Sequence, residues 1–182
     1  MDRFLVEQAQ RGDREAFTTL AFELSDRLFA VAHRILRDFD SAGDALQVTL
    51  LRIWQDLPGL RDADLIEGWS YRILVRACHD QLRRQRRRAT VLDILPPLAA
   101  EPGPDEAVVD RDQLERAFRR LSTEQRAAIV LQYYRGLTLP EITEILVVPV
   151  GTVRSRLHYA RRAMRAAIEA DDRPATRKGR LA

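Results

Sequence analysis

Apolar positions recur at three- and four-residue spacing along most of the chain, and that period predicts helices. Phe17, Leu20, Leu24, Leu28, Val31 and Ile35 form one stripe, with Asp13 placed to cap its helix. The polar stretch Asp38–Asp40 interrupts the pattern. Ser41 followed by Asp44 reads as a capping-box-like start for a second helix bearing Leu46, Leu50, Ile53 and Leu57. Pro58-Gly59 ends it. After the polar loop Leu60–Asp64, Ile66, Trp69, Ile73 and Ala77 mark a third long helix that runs into the arginine-rich stretch 83–88.

Residues 95–106, LPPLAAEPGPDE, interrupt the helical pattern with four prolines, one glycine and three acids. Such a stretch is extended and buries little surface, so it reads as a linker. Beyond it, Leu114, Phe118 and Leu121 begin a second helical set. Ser122 with Gln125 is a capping box for a helix carrying Ile129, Leu131 and Tyr133, and Gly136 closes it. Thr138 with Glu141 opens a short helix bearing Ile142, Ile145 and Leu146. The last helix runs from about Val150 to about Ala170, and the final dozen residues read as a disordered tail. The expectation is an all-α chain of two small helical domains, at 1–90 and 113–170. A Pro-rich acidic linker at 91–112 joins them, and a tail at 171–182 follows.

Composition narrows the chemistry. The 182 residues hold 30 basic and 27 acidic side chains and one cysteine, Cys78. A lone cysteine forms no internal disulfide and leaves no Cys pair to hold zinc. No apolar run reaches the roughly 18 residues needed to span a bilayer, and the N-terminus lacks a signal-peptide apolar stretch. A cytoplasmic protein without membrane insertion is expected. The charge is uneven. Residues 72–90 hold seven Arg and one Asp, 91–113 hold six acids and one base, and 114–170 hold ten bases and five acids. Two basic patches on separate helical units suggest a polyanion, most often nucleic acid. Of the 30 basic residues 29 are Arg, a bias that a GC-rich genome also produces.

Catalysis finds little support. His33, His79 and His158 fall on different predicted helices, and Cys78 and His79 point about 100° apart as helical neighbours. No P-loop, GxGxxG, HExxH or GxSxG stretch is present. Asp38 and Asp40 read as a helix-breaking turn rather than as metal ligands. No catalytic residue, metal, cofactor or small-molecule substrate is therefore expected.

The segment Thr138 to Arg162 carries the most information. A short capped helix, a tight turn and a longer helix make the helix-turn-helix pattern. Val153, Leu157, Ala160 and Met164 face the core at helical spacing, which turns Arg154, Ser155, His158, Tyr159 and Arg162 outward. Hydrogen-bonding and cationic side chains on one face are what a helix in a DNA major groove requires. Thr152 and the backbone N–H groups at the helix start suit phosphate contact. A solvated basic face is the plainer reading of this helix alone.

These residues resemble a known family. LSTEQRAAIVLQYYRGLTLPEITEILVVPVGTVRSRLHYARRAM is similar to region 4 of the extracytoplasmic-function (ECF, group IV) sigma factors of bacterial RNA polymerase. SAGDALQVTLLRIW resembles the family's region 2.2, and GWSYRILVRACHDQLRRQRRR resembles regions 2.3 and 2.4. Order, spacing and the Pro-rich linker match over about residues 5–170. The resemblance implies a protein that binds core polymerase and directs transcription initiation by recognising −10 and −35 promoter elements. The second helix would dock on the clamp of the largest subunit through Asp44, Gln47, Leu50, Leu51, Arg52 and Trp54, and region 4 would meet the flap. Trp69, Tyr71, Arg72 and Arg76 would engage the −10 strand, with Arg83, Arg84, Arg86 and Arg87 on backbone phosphates. Aromatic platforms and cations are what a single strand needs, although Trp69 also lies on the apolar stripe and fits a core role. Thr152, Arg154, Ser155, His158, Tyr159 and Arg162 would read the −35 element. An anti-sigma factor is the partner that the family pattern adds.

The chain departs from that pattern in places. Val147 stands where the helix-turn-helix turn usually has Gly, and a β-branched residue at positive φ is strained by roughly 1–2 kcal/mol. Thr143 replaces a common Ala, Val48 follows Gln47 where an acid is common, and Arg76 replaces a common Asn. Two other readings stay open. One is a stand-alone helix-turn-helix regulator that never docks on polymerase; the other is an interaction protein that no longer reads DNA.

Overall fold

The computed structural model describes residues 1–91 and 114–171, and all their regular elements are helical. Apart from Val91 and Asp171, which are the last residues of helices, the expected linker and tail lie outside the described residues. Helix α1 (Arg3–Gln10) leads into α2 (Arg14–Leu36), whose N-terminus Asp13 caps by accepting from the N–H groups of Glu15 and Ala16. Leu20, Leu24, Leu28, Val31 and Ile35 are buried along α2 as their spacing predicts, with Phe17 half-buried. Arg37 closes α2 in the left-handed region at φ 62°.

Helix α3 (Phe39–Asp56) differs in start and phase. Its cap is Asp38, whose carboxylate accepts from Ser41 N–H at 2.7 Å, so Ser41 lies inside the helix rather than at its start. The buried stripe is Ser41, Ala42, Ala45, Thr49 and Ile53, while Leu46 and Leu50 flank it. Small residues let α3 approach α2 and α4 closely, and Thr49 satisfies its hydroxyl on Ala45 C=O at 2.7 Å. The expected stripe followed side-chain size, whereas the packing seam followed shape. Leu57 is fully buried in the short 3₁₀ turn Leu57–Gly59, where Pro58-Gly59 ends the helix as expected. Gln10 Nε2 donates to the carbonyls of Leu57 and Leu60 and ties α1 to this corner.

After a second 3₁₀ turn, Ala63–Leu65, helix α4 (Ile66–Val91) is buried on more than one side. Ile66, Leu74, Ala77 and Cys78 belong to the first bundle, and Tyr71 and Val75 are covered as well. Burial pushes the Cys78 thiol up to about 12, which removes it from thiolate chemistry.

The second set begins with a short helix, α5 (114–119). Ser122 then caps α6 (Thr123–Ile129) in a reciprocal box with Gln125. A π turn, Val130–Tyr134, follows. Its extra residue per turn rotates the chain, so Tyr133 is exposed rather than in the expected core stripe. Gly136, at φ 68°, ends this stretch. Glu141 accepts from both the N–H and the hydroxyl of Thr138 at the start of α7 (Leu139–Leu146). Helix α8 (Val150–Asp171) completes the fold, packing Val153, Leu157 and Ala160 against α6 and α7.

Val147 joins α7 to α8 at φ 53° and ψ 50°, in the left-handed region. Its side chain is 58% exposed, so little burial offsets the steric cost. Val147→Gly is therefore expected to stabilise the chain by about 1 kcal/mol, a relief of roughly 1–2 kcal/mol reduced by glycine's greater freedom when unfolded. Thermal unfolding checks this: a rise of about 2–4 °C is expected, and an unchanged midpoint would contradict it.

The two helical sets pack on one another. Helix α7 lies against α4, and α6 against α2. The Arg34 guanidinium sits 3.6 Å above the Tyr134 ring, Arg135 lies 5.2 Å from the Tyr71 ring centre, and Arg37 pairs with Glu115.

Candidate nucleic-acid interface

Helix α8 separates its residues into two faces because Val153, Leu157 and Ala160 are held inward. Arg154, Ser155, His158, Tyr159 and Arg162 are all exposed, as the periodicity predicts. His158 and Tyr159 meet edge to face with ring centres 5.6 Å apart, which pre-orders two of the outward side chains. Ser155 Oγ donates to Thr152 C=O, so its lone pairs are what remain for a ligand. The Thr152 N–H is committed to Pro149 C=O at 2.9 Å. The Thr152 hydroxyl is half-buried, and the N–H groups of Val150 and Gly151, at the first turn of α8, are the backbone donors left for a phosphate.

Helix α3 presents Asp44, Gln47 and Leu51 outward at helical spacing, with Leu51 57% exposed. Asp44 accepts from Gln81 of α4 at 3.0 Å, which fixes its carboxylate. The other three expected docking residues are less free. Leu50 is half-buried, Arg52 lies 3.8 Å from Asp80, and Trp54 packs edge to face on Phe17 at 4.7 Å.

Helix α4 carries the remaining set. Arg72, Arg76, Arg83, Arg84 and Arg87 are exposed, whereas the side chain of Arg86 lies outside the described residues. Arg83 also pairs with Asp80 at 2.5 Å. Tyr71 is not on an open face: it is 3% exposed beneath Arg135, and burial raises its phenol above the ordinary value. Half-buried Trp69 packs against the core and, with Arg72, lines a cleft of about 350 Å³. Glu141 and Glu144 of α7 form the opposite wall. In this arrangement Arg135 and the α7 side of the cleft cover the face of α4 that carries Tyr71.

Arg135 and Arg156 were not among the expected site residues. Arg135 covers Tyr71, and Arg156 lines a cleft against α4. The sequence signal for Arg156 was its position next to Leu157, on the flank of the core stripe rather than on the outward face. Among the described residues no group of three or more His, Cys, Asp or Glu could hold a metal ion. No described helix is long and apolar enough to cross a membrane.

The model for Sigma-70 region 2 matches residues 22–88, and that for Sigma-70, region 4 matches residues 111–164. The chain is 34% identical over 151 residues to the ECF RNA polymerase sigma factor SigM of Mycobacterium tuberculosis, covering 82% of this chain and 76% of that one. It is 36% identical over 146 residues to SigL of the same organism, covering 78% and 82%. With the RNA polymerase sigma-H factor of Pseudomonas aeruginosa the identity is 29% over 181 residues, covering 92% and 94%. Among solved structures, CnrH in complex with the cytosolic domain of CnrY superposes with a TM-score of 0.69 at 24% identity, over 93% of this chain and 98% of that one. The sigma factor RpoE of Bartonella quintana, in complex with the anti-sigma factor NepR, gives 0.69 at 24%, over 85% and 98%. Two family models in chain order, a helix-turn-helix with an outward cationic face and relatives matched nearly end to end agree: the chain belongs to the extracytoplasmic-function sigma factors, which direct bacterial RNA polymerase to promoters.

Proposed function

We propose that the outward face of α8 reads the −35 element, that α4 and the loop before it engage the −10 strand, and that α3 docks on the polymerase clamp. The observation that carries this reading is the simultaneous exposure of Arg154, Ser155, His158, Tyr159 and Arg162 on a helix whose opposite side is locked by Val153, Leu157 and Ala160. The domains take the bounds 1–90 and 113–170. Each basic unit alone would hold DNA weakly and in a salt-dependent way. Joined to one polymerase, they act at high effective concentration, and selectivity comes from both elements together with their spacing. The exposed strip Asp44, Gln47 and Leu51 is the centre of the docking face. Arg52 and Trp54 support it from within, through Asp80 and Phe17. The chain is not itself catalytic, works in the cytoplasm, and takes an anti-sigma factor as a further partner.

The strand-engaging role requires the domains to part, because Tyr71 is covered and α7 carboxylates face Arg72. Polymerase docking on both domains would supply the differential contacts that favour the open form. The direct test is reconstitution with bacterial core polymerase followed by run-off transcription from genomic fragments. Initiation at discrete sites that share two spaced elements is expected. Tight dimeric DNA binding by the chain alone, without any polymerase complex, would overturn the reading in favour of a stand-alone regulator.

A further inference from the structure

The domain contact encloses a second cleft, of about 400 Å³, between α4 and the α7–α8 turn. Its volume lies within the roughly 300–1,000 Å³ typical of small-molecule sites. Four guanidinium groups line it: Arg52 from α3, Arg76 and Arg83 from α4, and Arg156 from α8. Asp80 is the carboxylate among the lining residues, and it is shared between Arg52 at 3.8 Å and Arg83 at 2.5 Å. Glu124 of α6 acts electrostatically on His79 and Arg156 from beyond the cleft. Arg76 and Arg156 make no ion pair among the described residues. The lining thus holds a clear excess of positive charge, brought together from two domains. Like charges held in one partly enclosed space repel, and a counter-anion there gains from all of them at once.

A second observation concerns His79, which also lines the cleft. Its Nε2 atom is buried and has no hydrogen-bond partner among the described residues. Unpaired buried polar atoms are rare and costly, so this ring is an unsatisfied part of the cleft wall. The remaining wall is apolar, formed by Val75, Ile145, Leu146 and Val148, which leaves room for a non-ionic portion of a ligand. Arginine is the side chain best matched to phosphate oxygens because its fork binds two at a time.

We infer that the cleft between α4 and α8, lined by Arg76, His79, Arg83 and Arg156, binds a free small molecule bearing a di- or triphosphate. A single phosphate would leave the excess charge only partly neutralised, whereas a polyphosphate matches it. Because both domains build the site, the ligand binds the packed arrangement and not the parted one, and so holds the domains together. Its competition with promoter DNA for Arg76 and Arg83 rests on the −10 assignment above; the binding itself does not.

The test uses inorganic tripolyphosphate as the probe, titrated into the full chain by calorimetry in magnesium-free buffer at constant ionic strength. One saturable site is expected, together with a rise in melting temperature. Arg156→Gln should weaken binding by about tenfold or more and remove most of the thermal shift. Arg156→Lys, which keeps the charge without the fork, should fall between. Arg165→Gln, an exposed cation of the same helix outside the cleft, should bind as the wild type does. Should Arg156→Gln fail to fold by circular dichroism, Arg76→Gln reads the same site from the other domain. A parallel titration with a six-nucleotide deoxythymidine strand separates free ligand from nucleic-acid backbone. Non-saturable binding unaffected by Arg156→Gln would overturn the proposal. So would a loss confined to the strand, which would make the cleft part of a DNA track. Run-off transcription by the reconstituted holoenzyme is measured without the probe, so loss of the sigma function and loss of the anion site are read separately.

Discussion

Arg154→Ala is expected to lower −35-dependent run-off transcription by about 10- to 100-fold while leaving affinity for core polymerase unchanged. A bidentate arginine contact with a base edge supplies roughly 1–3 kcal/mol of discrimination, which sets that range. The side chain is exposed on α8, makes no ion pair among the described residues and contributes nothing to the core, so its removal leaves the fold intact. The measurement compares promoters with and without a −35 element, with holoenzyme assembly followed by native gel. Equal loss of assembly and of initiation would contradict the assignment, as would an equal loss on both promoters.

Leu157→Ala should act on the same helix by a different route. Leu157 is 2% exposed and belongs, with Val153, Ala160, Ile142 and Ile145, to the part of the buried cluster that holds α8 on α6 and α7. Truncating such a side chain costs about 2–5 kcal/mol through lost transfer energy and the cavity left behind. That is a large share of what a domain of this size can hold. The expected result is a lower, broader thermal transition, loss of −35 recognition, and increased protease sensitivity confined to residues beyond about 114. Binding to core polymerase through α3 should persist in weakened form, because α3 packs mainly on α2 and α4 and the substitution leaves Leu20, Leu28, Ile53 and Leu74 of those helices in place. A variant that melts like the wild type would show that α8 is held by contacts other than this stripe.

The pair of substitutions separates reading from folding, and the distinction was already visible in the spacing of α8. Val153, Leu157 and Ala160 on one side and Arg154, His158 and Arg162 on another follow from the 3.6-residue period alone. The caps were legible for the same reason. Asp13, Ser122 and Thr138 act on N–H groups or partner side chains two to three residues away, so short stretches of sequence contain the whole interaction. The strain at Val147 was legible as a residue type that does not suit the turn it occupies.

Other features were not legible, and each depends on partners distant in the chain. The buried stripe of α3 runs through Ala42, Ala45 and Thr49 because α2 and α4 approach closely there, a choice that side-chain size along α3 does not reveal. The π turn at Val130–Tyr134 rotates Tyr133 outward against the period expected from the preceding helix. Tyr71 carries the residue type that a single strand would stack on, yet Arg135, 64 positions later, covers it. Arg156 is one cation among many in the sequence, and only the approach of α4 brings Arg76, His79 and Arg83 to the same cleft.

The sequence by itself thus determined the helices, their caps, the two basic units and the outward face of α8, because hydrogen bonding and periodicity act within a few residues. Tertiary structure alone decided how the units meet, which cations share a cleft and which aromatic ring is covered. Those outcomes rest on shape and charge matching between surfaces that the chain brings together only when folded.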